Sequence, residues 1–240
     1  MHREVLNIQE VGEIFLFRKS GSKISLCIRP FEGMQLTVPR EMSTAEVLRF
    51  LEDRKGWIDR ARKKVARIES ARTEFTPHTN FSTRFHRLEW QEGTHPARFV
   101  FHINPGTFRV EYPREVDFSS PGVQTILRKG IEEVLRKEAL QDLPERLDRL
   151  SAKTGLVYHG LSVKNLKSRW GSCSMVNHIN LNLHLMRLPD ALVDYVVLHE
   201  LAHTRQKNHG PDFWKLLDRL TGGQAREQDR ALKQYHTRYY

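Results

Sequence analysis

The sequence predicts an α+β protein in two parts, and three observations carry the prediction. Short alternating strands separated by turn-prone residues dominate residues 1 to 118, a long helical periodicity begins at residue 119, and a helix apolar around most of its circumference lies near residue 196. At 240 residues the chain is long enough to bury a core without disulfides. Its content of 39% hydrophobic and 28% charged residues is that of a globular protein and not of a disordered or membrane chain.

The first elements are three strands within residues 13–38, EIFLF, KISLCIR and MQLTVP, separated by the turn segments KSGSK and PFEG. They are expected to form a small antiparallel sheet. Ser43 and Glu46 have capping-box spacing, and Val47, Leu48, Leu51, Trp57, Ile58, Val65 and Ile68 continue a helical pattern to about residue 70. After a polar, proline-broken stretch, RFHRLEWQ, ARFVFHI and TFRVEYP again read as strands. A β-rich N-terminal domain with one helix is therefore expected over 1–118.

The second domain, 119–240, opens at Ser119-Ser120-Pro121 with a helix whose apolar positions run from Ile126 to Leu147 and which Pro144 is expected to kink or split. Gly155 stops it. The segments LSVKNLKSRW and HINLNLHLM, joined by GSCSMVN, are expected to pair as a β-hairpin. Pro189 and Asp190 then open the helix containing Ala191, Leu192, Val193, Val196, Val197, Leu201 and Ala202. So apolar a helix should be buried.

The charge pattern bears on partners. The formal net charge is +10, and seven Lys or Arg residues (Arg54, Lys55, Arg60, Arg62, Lys63, Lys64, Arg67) fall on the helix near residue 60. Such a patch attracts nucleotides or nucleic acid, or is a solvated face beside the core. Trp57 is the one aromatic residue among those charges, fewer than single-strand stacking platforms would require. No apolar run is long enough to span a membrane. The N-terminus has no secretory pattern, and Cys27 and Cys173 are too few for a disulfide framework, so a cytoplasmic setting is expected.

Chemistry is concentrated in His199-Glu200-Leu201-Ala202-His203, inside the apolar helix. Histidines at i and i+4 stack on one helix face and can share one metal ion, while Glu200, about 100° round the helix, suits a general base acting on a water at the metal. Two imidazoles and a carboxylate in so apolar a helix are costly unless paired or metal-bound. A catalytic zinc site takes three protein ligands and keeps one position open. His209 is the candidate for the third. In a continuous helix it would lie about 9 Å beyond His203 along the axis. However, Lys207-Asn208-His209-Gly210-Pro211 is a turn signal that lets the chain fold back, and the alternative role of His209 is to cap the next helix.

The combination of RWGSCS (169–174), INLNLHL (179–185), DYVVLHELAH (194–203) and NHGPDFW (208–214) resembles the YgjP-like metal-dependent hydrolases, relatives of the SprT-like zinc metallopeptidases. The resemblance implies a zincin-like domain with one zinc per chain, His199, His203 and His209 as ligands, and Glu200 as catalytic residue. Gln206 stands where metzincins have a turn glycine, so metzincin specificity is not implied.

In zincins a strand beside the metal cleft binds extended substrate through its backbone. INLNLHL alternates, with Asn180, Asn182 and His184 opposite the leucines, and this polar face is expected to line the cleft or to meet solvent. Arg169 is a candidate for binding an anionic substrate group or a developing oxyanion, its other role being structural pairing. Nothing in the sequence activates Cys173, which reads as a small buried residue.

The expected activity is that of a zinc metallopeptidase acting on peptides or unfolded proteins. A metal-dependent nucleotide phosphoanhydride hydrolase is the alternative, although no Gly-rich phosphate loop is visible. A nucleic-acid module with structural zinc would need a fourth closed ligand, and no nearby cysteine supplies one.

Overall fold

The computed structural model describes residues 3–9, 11–70 and 72–237. The described residues fall in two compact units, one up to residue 73 and the other from residue 74 to 237. Among the described residues the elements are ten strands, six α-helices and one 3₁₀ turn in three small sheets, and no helix is long and apolar enough to cross a membrane.

In the first unit, β1 (Arg3–Ile8), β2 (Gly12–Lys19), β3 (Ser25–Arg29) and β4 (Gly33–Pro39) form a sheet in the order β1-β2-β4-β3. The expected antiparallel arrangement holds for β3 with β4, but β2 and β4 run parallel, and β1, which lies outside the expected strands, pairs antiparallel with β2. The cause is that β3 folds back on β4 as a hairpin and takes the edge, leaving β4 to lie beside β2. Alternate residues Ile14 and Leu16 of β2 and Met34, Leu36 and Val38 of β4 are buried in one cluster with Val47, Leu51 and Ile58 from the helices. The capping box is present: the Glu46 amide donates to Ser43 Oγ (3.3 Å) and the Ser43 amide donates to Glu46 Oε2 (2.7 Å). The helix expected to run unbroken to residue 70 is two, α1 (Thr44–Asp53) and α2 (Lys55–Ser70). Asp53 and Gly56, both poor helix-interior residues, bracket the break.

The second unit begins with β5 (Arg87–Glu92), β6 (Val100–Asn104) and β7 (Thr107–Tyr112), in the order β5-β7-β6. These strands, which the sequence pattern groups with the N-terminal part, fall in the unit built around α3 (Pro121–Thr154). Buried polar side chains of α3 stitch the segment to it. Gln124 accepts from the Phe75 amide (3.0 Å) and donates to the Phe75 and Phe118 carbonyls (both 2.8 Å). Glu138 accepts from Thr83, from the Phe85 amide and from His86 Nδ1 (2.6 Å). Periodicity within one element carries no information about such ties. Pro144 neither splits nor ends α3, which runs through to a left-handed Gly155 (φ 69°).

Next come β8 (Gly160–Lys164), β9 (Gly171–Cys173) and β10 (His178–Asn182), in the order β8-β10-β9. The hairpin partner of β10 is the short β9, with Cys173 opposite Ile179, while β8 lies parallel to β10 on its other side. The expected pairing of the β8 segment with β10 as a hairpin is thus replaced by a parallel contact. The strand also ends earlier than its alternation suggests. Asn182 accepts from the His184 amide (3.2 Å) and so caps a 3₁₀ turn over Leu183–Arg187.

Three helices complete the unit: α4 (Asp190–Ala202), α5 (Pro211–Leu220) and α6 (Ala225–Leu232). Helix α4 packs against α3, α5, α6, β9 and β10. That central position is why its residues are apolar almost all the way round.

Candidate metal centre

Helix α4 places His199 and His203 one turn apart, and the chain then reverses. Thr204 closes the helix by donating from its amide and hydroxyl to the Leu201 carbonyl, Gly210 donates to the Asn208 carbonyl (2.8 Å), and Pro211 starts α5. This reversal returns His209 to the helical pair. Its Nε2 lies 3.0 Å from His199 Nε2 and 3.2 Å from His203 Nε2. The first residue of α5 to face inward, Phe213, is fully buried and stacks on the His203 ring (4.5 Å, 27°) while touching the His199 and His209 rings edge-on.

The donor set fits a zinc ion. Tetrahedral coordination by imidazoles at 2.0–2.1 Å separates the nitrogens by about 3.3 Å, close to the spacings here. The Nδ1–H of His203 donates to the Gln206 carbonyl (2.9 Å), which leaves its Nε2 lone pair directed at the other two rings. Burial, and after it the neighbouring histidines, push His199 down to about 3. Burial likewise lowers His203. Neutral imidazole is the form that binds metal.

Glu200 lines the same cavity, which has a volume of about 410 Å³. It is only 5% exposed, and burial, opposed by the charge of Arg169, pushes its carboxyl up to about 8. Its Oε2 has no hydrogen-bond partner. Strand β9 lies directly on this side chain: a Cβ at Gly171 would come within 2.7 Å of Glu200 Cγ and Oε1. Because β9 is an edge strand, its outer backbone groups are left for another chain to pair with.

The residues singled out in the sequence are placed as follows. His199, Glu200, His203, His209 and Arg169 line the cavity together. Asn180 does not line it but donates to Ser172 Oγ (3.2 Å) on β9. Asn182 is buried, donating to the Leu166 and Arg169 carbonyls (2.8 Å each), and so holds the loop that carries Arg169. His184 is buried in the 3₁₀ turn, where burial pushes it down to about 3. Neither Asn182 nor His184 reaches the cleft, because the strand ends at Asn182. Cys173 lines the cavity and burial raises its thiol pKa, the less reactive direction.

Sequence reasoning passed over Tyr195, Lys207 and Asp229, which also line the cavity. Lys207 donates to the Ser174 carbonyl (2.8 Å) and Asn177 Oδ1 (2.6 Å), tying the loop of His209 to the β9–β10 turn. Tyr195 does have a sequence signal, lying four residues before His199 and hence on the same helix face. Asp229 has none, since α6 reaches the site only through tertiary packing.

The family model for the YgjP-like metallopeptidase domain matches residues 22–235. No curated protein matches the chain. Among solved structures, the crystal structure of the metallopeptidase zymogen of Pyrococcus abyssi abylysin is similar over 38% of this chain and 92% of that one, at 23% identity and a TM-score of 0.34. With the family model spanning both units and the whole of the histidine site, the chain belongs to the YgjP-like metallopeptidase-domain family.

Proposed function

We propose that the chain is a zinc-dependent peptidase of zincin-like fold, with one zinc held by the Nε2 atoms of His199, His203 and His209 and with Glu200 as general base. The observation that carries the reading is the convergence of three imidazole nitrogens beside a buried carboxylate that has one oxygen free. Zinc in such a site lowers the pKa of a water toward neutrality and polarises the substrate carbonyl. Glu200 takes the proton of the attacking water and passes it to the leaving amine. An extended peptide adds to the free edge of β9 through its backbone, which brings its scissile bond over Glu200. Arg169, exposed at the cavity wall, meets a negative charge on the substrate or the developing oxyanion.

Two measurements test the proposal. Elemental analysis of purified protein should find about one zinc per chain. His199→Ala, His203→Ala and His209→Ala should each lose tight binding, and wild-type retention by His209→Ala would remove that residue from the ligand set. A panel of peptides, unfolded proteins and nucleoside triphosphates should show cleavage of peptide bonds, and turnover confined to the triphosphates would replace the peptidase reading with a nucleotide hydrolase.

A further inference from the structure

Three residues that line the cavity each have a polar atom without a hydrogen-bond partner. Tyr195 is 1% exposed, yet its buried hydroxyl has no hydrogen-bond partner. One turn later on α4, the His199 ring lies 6.0 Å from the Tyr195 ring and turns its Nε2 to His209, which leaves the Nδ1 edge directed away from the histidine cluster. Across from α4, Asp229 of α6 lines the same cavity. Its Oδ2 pairs with Lys233 (2.7 Å), and its Oδ1 takes no hydrogen bond among the described residues. The nearby cation Arg226 is turned onto the Trp214 ring (3.6 Å) and is not paired with this carboxylate. The charge of Asp229 acts on both Tyr195 and His199.

A histidine that ligates through Nε2 carries its proton on Nδ1, and that N–H needs an acceptor that fixes the ring's tautomer and orientation. His203 has such an acceptor in the Gln206 carbonyl. For His199 no direct acceptor lies within hydrogen-bond distance among the described residues, whereas Asp229, with its free carboxylate oxygen, and Tyr195, with its unpaired hydroxyl, line the same cavity. A donor, an acceptor and a hydroxyl round one polar space suit a single water with three hydrogen bonds.

We infer that Asp229 is the positioning residue for His199, accepting its Nδ1–H through one bridging water that Tyr195 also binds. The inference rests on His199 being a metal ligand. In this arrangement α6 contributes to metal affinity without touching the metal.

The test is zinc affinity by chelator competition, with the absorption spectrum of the cobalt(II)-substituted protein as a second readout. Asp229→Asn should weaken zinc binding by about 10- to 100-fold and shift the cobalt bands, the scale seen when a partner behind a ligating histidine is lost. Tyr195→Phe, which removes only the hydroxyl, should give a smaller loss in the same direction. Lys233→Met removes the ion pair but keeps the carboxylate, so its zinc affinity should stay near wild type. Were Asp229 merely a structural partner of Lys233, Asp229→Asn and Lys233→Met would lower the melting temperature alike and leave zinc affinity unchanged, which overturns the inference. Wild-type affinity in both Asp229→Asn and Tyr195→Phe overturns it as well. If Asp229→Asn does not fold, Tyr195→Phe decides between the same two outcomes. Failure of the wild-type protein to bind zinc would instead defeat the metal-site reading itself.

Discussion

Gly171→Ala should damage catalysis without removing the metal. The added Cβ would sit 2.7 Å from Glu200 Cγ and Oε1 and 2.9 Å from Cδ, well inside van der Waals contact. Relief must come from β9 or from Glu200. The strand is held to β10 by the Gly171–Leu181 and Cys173–Ile179 pairings, and the Glu200 backbone lies within a helix packed on several sides. The carboxylate therefore gives way and turns further into the cavity. Overpacking of this kind costs about 1–3 kcal/mol of stability. Displacing a general base by about 1 Å costs on the order of 10²-fold in rate. The nearest atoms that the added Cβ would meet all belong to Glu200 and none to the three histidines, so zinc content should remain near that of wild type. The assay is peptide turnover by zinc-loaded protein, measured beside metal content and thermal unfolding. Wild-type turnover in Gly171→Ala would mean that the close approach of β9 to Glu200 has no part in the chemistry.

Two other outcomes are expected. His184 is buried and held neutral down to about 3, so the unfolded chain, with an ordinary histidine near 6.5, binds a proton that the folded chain refuses as the pH falls. Its contribution is therefore fully present above pH 6.5 and is lost between 6.5 and about 3, at about 1.4 kcal/mol per pH unit. Denaturant unfolding of metal-free protein against pH should show His184→Gln with a slope smaller by about one proton over that window, and an unchanged slope would refute the assignment. Exchanging Arg60, Lys63, Lys64 and Arg67 on α2 for glutamine should leave zinc content and hydrolysis of a short uncharged peptide unchanged. A loss of either would give that helix a part in the site.

The sequence made the local features legible. The two helical histidines and Glu200 are fixed by i, i+1 and i+4 spacing, and the turn signal around Gly210-Pro211 marks where the chain folds back on His209. The capping box at Ser43 and most strand positions are legible for the same reason. Pairing partners were not. Whether β10 takes β9 or the β8 segment as its hairpin neighbour depends on long-range packing, and β2 beside β4 is parallel because the β3–β4 hairpin occupies the edge. Alternation through INLNLHL concealed the end of the strand, since Asn182 at a polar position satisfies its side chain on backbone carbonyls and starts a 3₁₀ turn. Phe213, Lys207 and Asp229 come from segments whose periodicity describes only their own helix or loop, so their approach to the histidines follows from tertiary structure alone.

The proposal stands most directly on Glu200→Gln. Glutamine keeps the size of the side chain but cannot accept a proton from water, and Glu200 is not among the three converging ligand groups. The decisive measurement is turnover per bound zinc for this variant against wild type. The account predicts about one zinc per chain, unchanged folding, and turnover lower by roughly 10² or more. A folded, zinc-loaded Glu200→Gln protein that turns over at the wild-type rate would contradict it.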